Sequence, residues 1–168
     1  SWVARTKQPK ERKWLVPQWI WFPEIPIPSH VTRYFRRTFN LPRLPQKAIL
    51  RVTGDDGYTF WVNGEKVAEG GQPFIKEAVV TNLLRKGKNA LAASVYNAVP
   101  PAGLLVELIL NFSDGSQQRI LSDAQWRTSL NVSEGWLLPE FDDSDWSQAM
   151  EIGDVYRRPW YGAGNISK

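Results

Sequence analysis

Hydrophobic and polar positions alternate along most of this chain with the period of two that a half-buried strand requires. In Ala48-Ile-Leu-Arg-Val-Thr53, Ala48, Leu50 and Val52 face one way, and in Ala90 to Asn97 the same holds for Leu91, Ala93 and Val95. Tyr58 to Val62 and Lys66 to Glu69 flank Asn63-Gly64. That dipeptide is a strong hairpin signal, because both turn residues need positive φ and Asn and Gly tolerate it best. Leu104 to Phe112 runs into Ser113-Asp-Gly115, a turn, and Gln117 to Leu121 completes a second hairpin. Trp126 to Ser129 is a short strand, and Phe74 to Val80 is mixed. Tyr34 to Phe39 alternates aromatic and basic residues with a slip in the middle, which marks a candidate β-bulge. Thr81 to Asn89 reads as one helical turn ended by Gly87. Pro23-Glu-Ile-Pro-Ile-Pro28 holds three prolines in six residues, so neither a helix nor a central strand forms there and an extended covering loop is expected. Residues 131–150 are loop-like, and 152–168 are Gly-rich and aromatic.

Many short strands separated by turn signals, with almost no helix, predict an all-β fold, a β-sandwich of jelly-roll type. At 168 residues the chain suits one domain with a full core, and it shows no internal repeat. Residues 1–16 read as a basic N-terminal arm or linker, 17–161 as the sandwich and 162–168 as a C-terminal tail. The longest apolar run, 102–110, is interrupted by Glu107 and reads as a buried strand; it falls far short of the ~20 residues of a membrane span.

Composition narrows the function classes. With no cysteine, disulfides and thiolate zinc sites are excluded, and a single histidine, His30, excludes a histidine-based zinc site. No Gly-x-Ser-x-Gly elbow accompanies that histidine, and among 17 acidic residues no spacing singles out a glycosidase pair. The net charge of +4 comes partly from Arg5 to Lys13 and partly from Arg33, Arg36 and Arg37. These form no dense patch with a docking motif, so nucleic acid is not the expected partner. The start lacks a charged-then-apolar signal layout, so the chain is either cytosolic or an internal piece of a longer secreted or periplasmic bacterial chain, and the absence of an initiator Met favours the second. Nine tryptophans serve as core filler or as platforms for the flat C–H faces of sugar rings.

Three runs carry a family resemblance: Arg33-Tyr-Phe-Arg-Arg-Thr-Phe-Asn-Leu-Pro42, Gly54-Asp-Asp-Gly-Tyr-Thr-Phe-Trp-Val-Asn-Gly-Glu-Lys-Val67 and Leu84-Arg-Lys-Gly-Lys-Asn-Ala-Leu91. Gly103 to Leu108, Ser113-Asp-Gly115 and Phe141-Asp-Asp-Ser-Asp-Trp146 agree with them. Together, over residues 17–161, they resemble the galactose-binding-like jelly-roll domains found beside catalytic domains in glycoside hydrolases, above all the N-terminal domain of bacterial α-L-rhamnosidases. The resemblance implies a non-catalytic, carbohydrate-binding accessory module of a larger secreted protein, with neighbouring domains as partners and calcium as the one candidate cofactor. In the rhamnose-binding relatives, loop acids and amides at one rim hold sugar and calcium.

On that pattern Asp55 and Asp56, on the loop before Tyr58, are candidate sugar ligands, and candidate metal ligands if calcium is bound. Gly54-Asp-Asp-Gly57 is equally good turn chemistry. Asn97 precedes Pro100-Pro-Ala-Gly103, which would stiffen the loop that presents Asn97 and Tyr96. The acid–amide pair of the rhamnose binders is not clearly present there. Tyr58 and Trp61, three apart in one strand, point to opposite faces, so one is core and Tyr58 is the candidate stacking platform. Asp142-Asp-Ser-Asp-Trp146 has the look of a metal loop but lacks the Gly and closing Glu of an EF-hand; the resemblance instead packs Trp146 on the sandwich. The rival expectation is a docking module without a sugar ligand, attached to a catalytic or cytochrome-like domain through an apolar patch of Trp19, Trp21 and Trp160.

Overall fold

The computed structural model describes residues 16–71 and 74–154. Trp2, Trp14, Trp160, all but the last residue of the arm, and the C-terminal tail lie outside them. Among the described residues, twelve strands make two antiparallel sheets. In chain order they are β1 (Gln18–Trp21), β2 (Val31–Leu41), β3 (Lys47–Asp55), β4 (Gly57–Val62), β5 (Glu65–Gly70), β6 (Lys76–Val79), β7 (Gly87–Asn97), β8 (Gly103–Asn111), β9 (Gln117–Leu121), β10 (Arg127–Ser129), β11 (Ser147–Gln148) and β12 (Met150–Asp154). One sheet runs β12-β1-β8-β3-β6, with β9 also on β8; the other runs β11-β10-β2-β7-β4-β5. The expected β-sandwich is thus present. No helix among the described residues is long and apolar enough to cross a membrane.

The alternating rows meet between the sheets. Ala48, Leu50 and Val52 of β3 are fully buried against Leu104, Val106 and Leu108 of β8 and against Leu91, Ala93 and Val95 of β7. The apolar run at 17–22 supplies a further strand: all four residues of β1 are buried. Trp19 and Trp21 are therefore inside, at 2% and 0% exposure, and do not form the surface patch that the docking alternative needs. The proline-rich segment covers the sandwich as expected and is anchored by Glu24, which accepts from Trp21 Nε1 at 3.0 Å and from Arg33 Nε and Nη2 at 2.8 and 2.9 Å.

Three local expectations are corrected. The slip in Tyr34 to Phe39 is no bulge, since β2 pairs with β7 from Val31↔Asn97 to Leu41↔Gly87 without a register shift. The pattern breaks because Arg37 occupies the same row as the core residues Phe35 and Phe39, while Arg36 is buried on the opposite face beneath residues 136–143. The helical turn is shorter than expected, a single 3₁₀ turn at Thr81–Leu83, and Gly87 opens β7 at φ 88°. Asp55 is the last residue of β3, paired with Gly103, so the acidic loop shrinks to Asp56 alone.

The Asn63-Gly64 turn is as expected, with φ of 49° and 88°. Asn63 also ties the hairpin to the sandwich: its Nδ2 donates to Leu83 O and Asn89 Oδ1, each at 2.8 Å, and its Oδ1 accepts from Ala90 N at 2.8 Å. Asn63→Gly keeps the turn conformation but deletes these bonds. It is expected to lower the unfolding free energy by about 2 kcal/mol in urea denaturation, since the partners left behind are part-buried.

Candidate functional site

The chain changes sheets through one residue at the rim. β3 ends at Asp55 in one sheet and β4 begins at Gly57 in the other, with Asp56 between them. Gly57 pairs with Tyr96, so Asp56 stands beside Asn97 at the end of β7. The Asp56 main-chain N–H donates to Tyr96 O at 2.7 Å. Its Oδ2 accepts from Ala98 N at 2.7 Å and Val99 N at 3.4 Å. The carboxylate therefore shapes the start of the loop after β7, as an Asp in a turn does. The structure places Asp56 against the end of β7, with Asp55 beside it in the chain and paired to Gly103 of β8; Asp55 and Asn97 are buried.

Asn97 carries the most telling atom of the site. Its Nδ2 donates to Pro28 O at 2.8 Å, which fixes the amide. Its Oδ1 is buried and has no hydrogen-bond partner among the described residues. A buried amide oxygen without a partner costs roughly 1–3 kcal/mol, so it calls for an explanation. Among the described residues no three His, Cys, Asp or Glu side chains gather in one place. A cation here would therefore rest on two carboxylates plus amide and main-chain oxygens, the hard-oxygen donor set that calcium takes.

Tyr58 does not belong to the site. It is 5% exposed, lies in the core cluster and points its hydroxyl at Val52 O, 3.4 Å away. The stacking role expected for it is corrected: the inward member of the pair is Tyr58, and Trp61 lies outside, edge-on to Trp136 at 5.4 Å. Burial pushes the Tyr58 hydroxyl up from 10 to about 12. Between those values the unfolded chain releases the proton while the folded chain keeps it, so stability falls as pH rises through that window. Urea denaturation at pH 9 and pH 11 is expected to show this loss, and Tyr58→Phe to flatten it.

Three further residues build the rim. Gly71 abuts the turn, where a Cβ would lie 2.0 Å from Asp56 O, so only glycine fits. Pro28 supplies the carbonyl that orients Asn97. His30, at φ 57°, donates its main-chain N–H to Ala98 O at 3.1 Å, and its Nδ1 lies 3.1 Å from Tyr96 Oη. The Gly70-Gly71 pair was a visible signal; nothing local to Pro28 or His30 points to a partner 69 or 66 residues away. The Asp142 to Trp146 run is structural: Asp143 pairs with Arg36 at 3.0 Å, and Trp146 stacks on Trp136.

Two antiparallel sheets packed on one core, with Asp56 where the chain crosses between them, define a β-sandwich. The comparisons agree. An α-L-rhamnosidase of Streptomyces avermitilis is 38% identical over 154 residues, covering 84% of this chain and 15% of that protein. Its crystal structure with L-rhamnose superposes with a TM-score of 0.78 at 34% identity, over 86% of this chain and 15% of the other. A lectin of Pleurotus ostreatus in complex with GalNAc gives 0.76 at 31% identity, over 86% and 45%. No protein-family model matches the chain. The chain thus spans about one sixth of the length of the curated relatives it matches, and it is similar to a galactose-binding-like domain of the rhamnosidases and to lectins.

Proposed function

We propose that this chain is a non-catalytic carbohydrate-binding module and that its rim site holds one sugar unit together with a calcium ion. The observation that carries this reading is the buried, unpartnered Oδ1 of Asn97 at the end of β7, the same strand end that Asp56 binds through Tyr96 and Ala98. Asp55, Asp56 and Asn97 would hold the ion. Bound calcium would supply a hard positive charge that favours oxygen ligands such as sugar hydroxyls. The rest is done by the chain's own residues: Asp56 and Pro28 fix the loop after β7 and the Asn97 amide, and Gly71 lets the backbone close behind Asp56. The likeness to a lectin solved with GalNAc and to a rhamnosidase solved with L-rhamnose supports a sugar ligand. Extracellular calcium modules work at dissociation constants of about 10⁻⁴–10⁻³ M, which suits a secreted or periplasmic setting. Such a module would raise the local concentration of glycan for a neighbouring glycoside hydrolase domain.

Calorimetry against L-rhamnose, D-galactose and N-acetyl-D-galactosamine tests the reading. Binding of at least one sugar is expected with calcium, and Asp56→Asn, which keeps the side-chain shape, is expected to weaken it roughly tenfold or more, the scale of a lost charged contact. Absence of binding to the whole panel in a folded, calcium-loaded protein, or turnover of a glycoside, would overturn it.

A further inference from the structure

A polar cavity lies well away from the rim. It is a cleft of about 480 Å³ lined by Gln18, Arg37, Arg119, Asp123, Gln125 and Glu151 among others. It opens where β9 ends and β1 begins, a junction closed by Ser122, whose Oγ donates to Gln18 O at 2.6 Å and whose carbonyl accepts from Gln18 N at 2.8 Å. Arg37 stands six residues along β2 from Val31, the partner of Asn97, so the two places are about 20 Å apart.

Arg37 is the anomaly. The core-facing row of β2 holds two arginines. Arg33 is answered by the two-pronged pair with Glu24. Arg37 has no such answer: Nη1 donates to Thr38 O and Nη2 to Gln125 Oε1 at 3.0 Å, while Nε is buried without a hydrogen-bond partner among the described residues. Asp123 attracts it only through space, and burial lowers the Arg37 pKa and raises that of Asp123. A buried guanidinium N–H without an acceptor is costly, and a core row seldom carries one. The lining otherwise combines donors (Arg37, Arg119), acceptors (Asp123, Glu151) and amides able to do both (Gln18, Gln125). The lining carries two arginines and two carboxylates, so the formal charge of these six residues is zero, and Arg119 is further paired with Glu107 beyond the lining. That balance favours a neutral, hydroxyl-rich guest over an anion, and the volume falls within the range of about 300–1,000 Å³ usual for small-ligand sites.

From this cleft we infer that the module has a second, calcium-independent binding site for a neutral sugar unit, with Arg37 Nε donating to a ligand oxygen. With the rim site it would make the module bivalent for one glycan chain, and affinity for long glycans would exceed that for monosaccharides without any new contact.

The test is an amide chemical-shift titration of the whole chain in EDTA with D-galactose, L-rhamnose and N-acetyl-D-galactosamine. Saturable shifts are expected at amides 119–125 and 151 with at least one sugar, while amides 96–99 stay still. Arg37→Met should weaken that response roughly tenfold or more and leave calcium-dependent shifts at 96–99 intact. If Arg37→Met does not fold, Gln125→Ala, which keeps the arginine, decides by the same readout. The inference is overturned if no sugar moves amides 119–125 and 151 in EDTA, or if folded variants respond like the wild type. Failure of the rim reading is separate: it appears as amides 96–99 that stay still with calcium present.

Discussion

Arg36→Met is expected to destabilise the protein by roughly 3–5 kcal/mol, the cost of breaking a buried ion pair from one side. Arg36 is fully buried on the outer face of β2. Its Nε meets Asp143 Oδ2 at 3.0 Å, Nη1 donates to Leu138 O at 3.0 Å and to Trp136 O, and Nη2 reaches Phe141 O at 3.5 Å. The guanidinium also lies 5.0 Å over the Phe141 ring. One side chain thus satisfies acceptors along 136–143, a stretch with no strand of its own. That stretch carries Trp136, which packs on Tyr34, Trp61 and Trp146 at 5.5, 5.4 and 6.1 Å. Methionine fills the space but takes the donor from Trp136 O, Phe141 O and the Asp143 carboxylate; Leu138 O keeps the Phe141 main-chain N–H. Lysine would fare little better, because a point charge cannot replace the planar fork. Urea denaturation followed by tryptophan fluorescence checks this: the midpoint should fall and the native emission should shift. An unchanged midpoint would mean that the aromatic contacts alone hold the loop.

Asn97→Ala is expected to abolish calcium-dependent sugar binding while leaving the fold in place. The substitution removes the buried Oδ1, an acceptor that has no partner among the described residues. It also removes the bond to Pro28 O. Two stability effects oppose each other: relief of the buried oxygen offsets part of the lost hydrogen bond. In calcium-free buffer the unfolding midpoint should therefore change little. In calcium the wild type gains stability by linkage and the variant does not. The separation between the two midpoints, growing with calcium concentration, measures the role of Asn97 independently of any sugar.

The sheets were legible in the sequence because strand alternation is local. Ala48, Leu50 and Val52, and Leu91, Ala93 and Val95, announce their rows within a few residues, and the Asn63-Gly64 turn sets its own hairpin. Two kinds of feature were not legible. Arg36 and Arg37 look alike on paper, yet one is locked beneath a distant loop and the other lines a cleft between sheets; the difference is made by residues about 100 positions away in one case and 88 in the other. The same holds at the rim. The Asp55-Asp56 and Asn97 candidates were visible as residue types, but their meeting depends on the pairing of β4 with β7. Tyr58 was misassigned because strand parity separates it from Trp61 without saying which of them faces inward; that is decided by its hydroxyl reaching back to Val52 and by Gly54, where a Cβ would lie 2.8 Å from Tyr58 Cβ.

The proposed site of Asp55, Asp56 and Asn97 would join a metal ion to a sugar. The most direct measurement is a calcium titration of the metal-stripped protein by calorimetry, alone and with saturating L-rhamnose or N-acetyl-D-galactosamine. The account predicts one ion per chain, tighter calcium binding when the effective sugar is present, by the reciprocity of linked equilibria, and loss of both in Asn97→Ala. Sugar binding of undiminished strength in excess EDTA with no calcium bound, or calcium binding that Asn97→Ala leaves untouched, would contradict it.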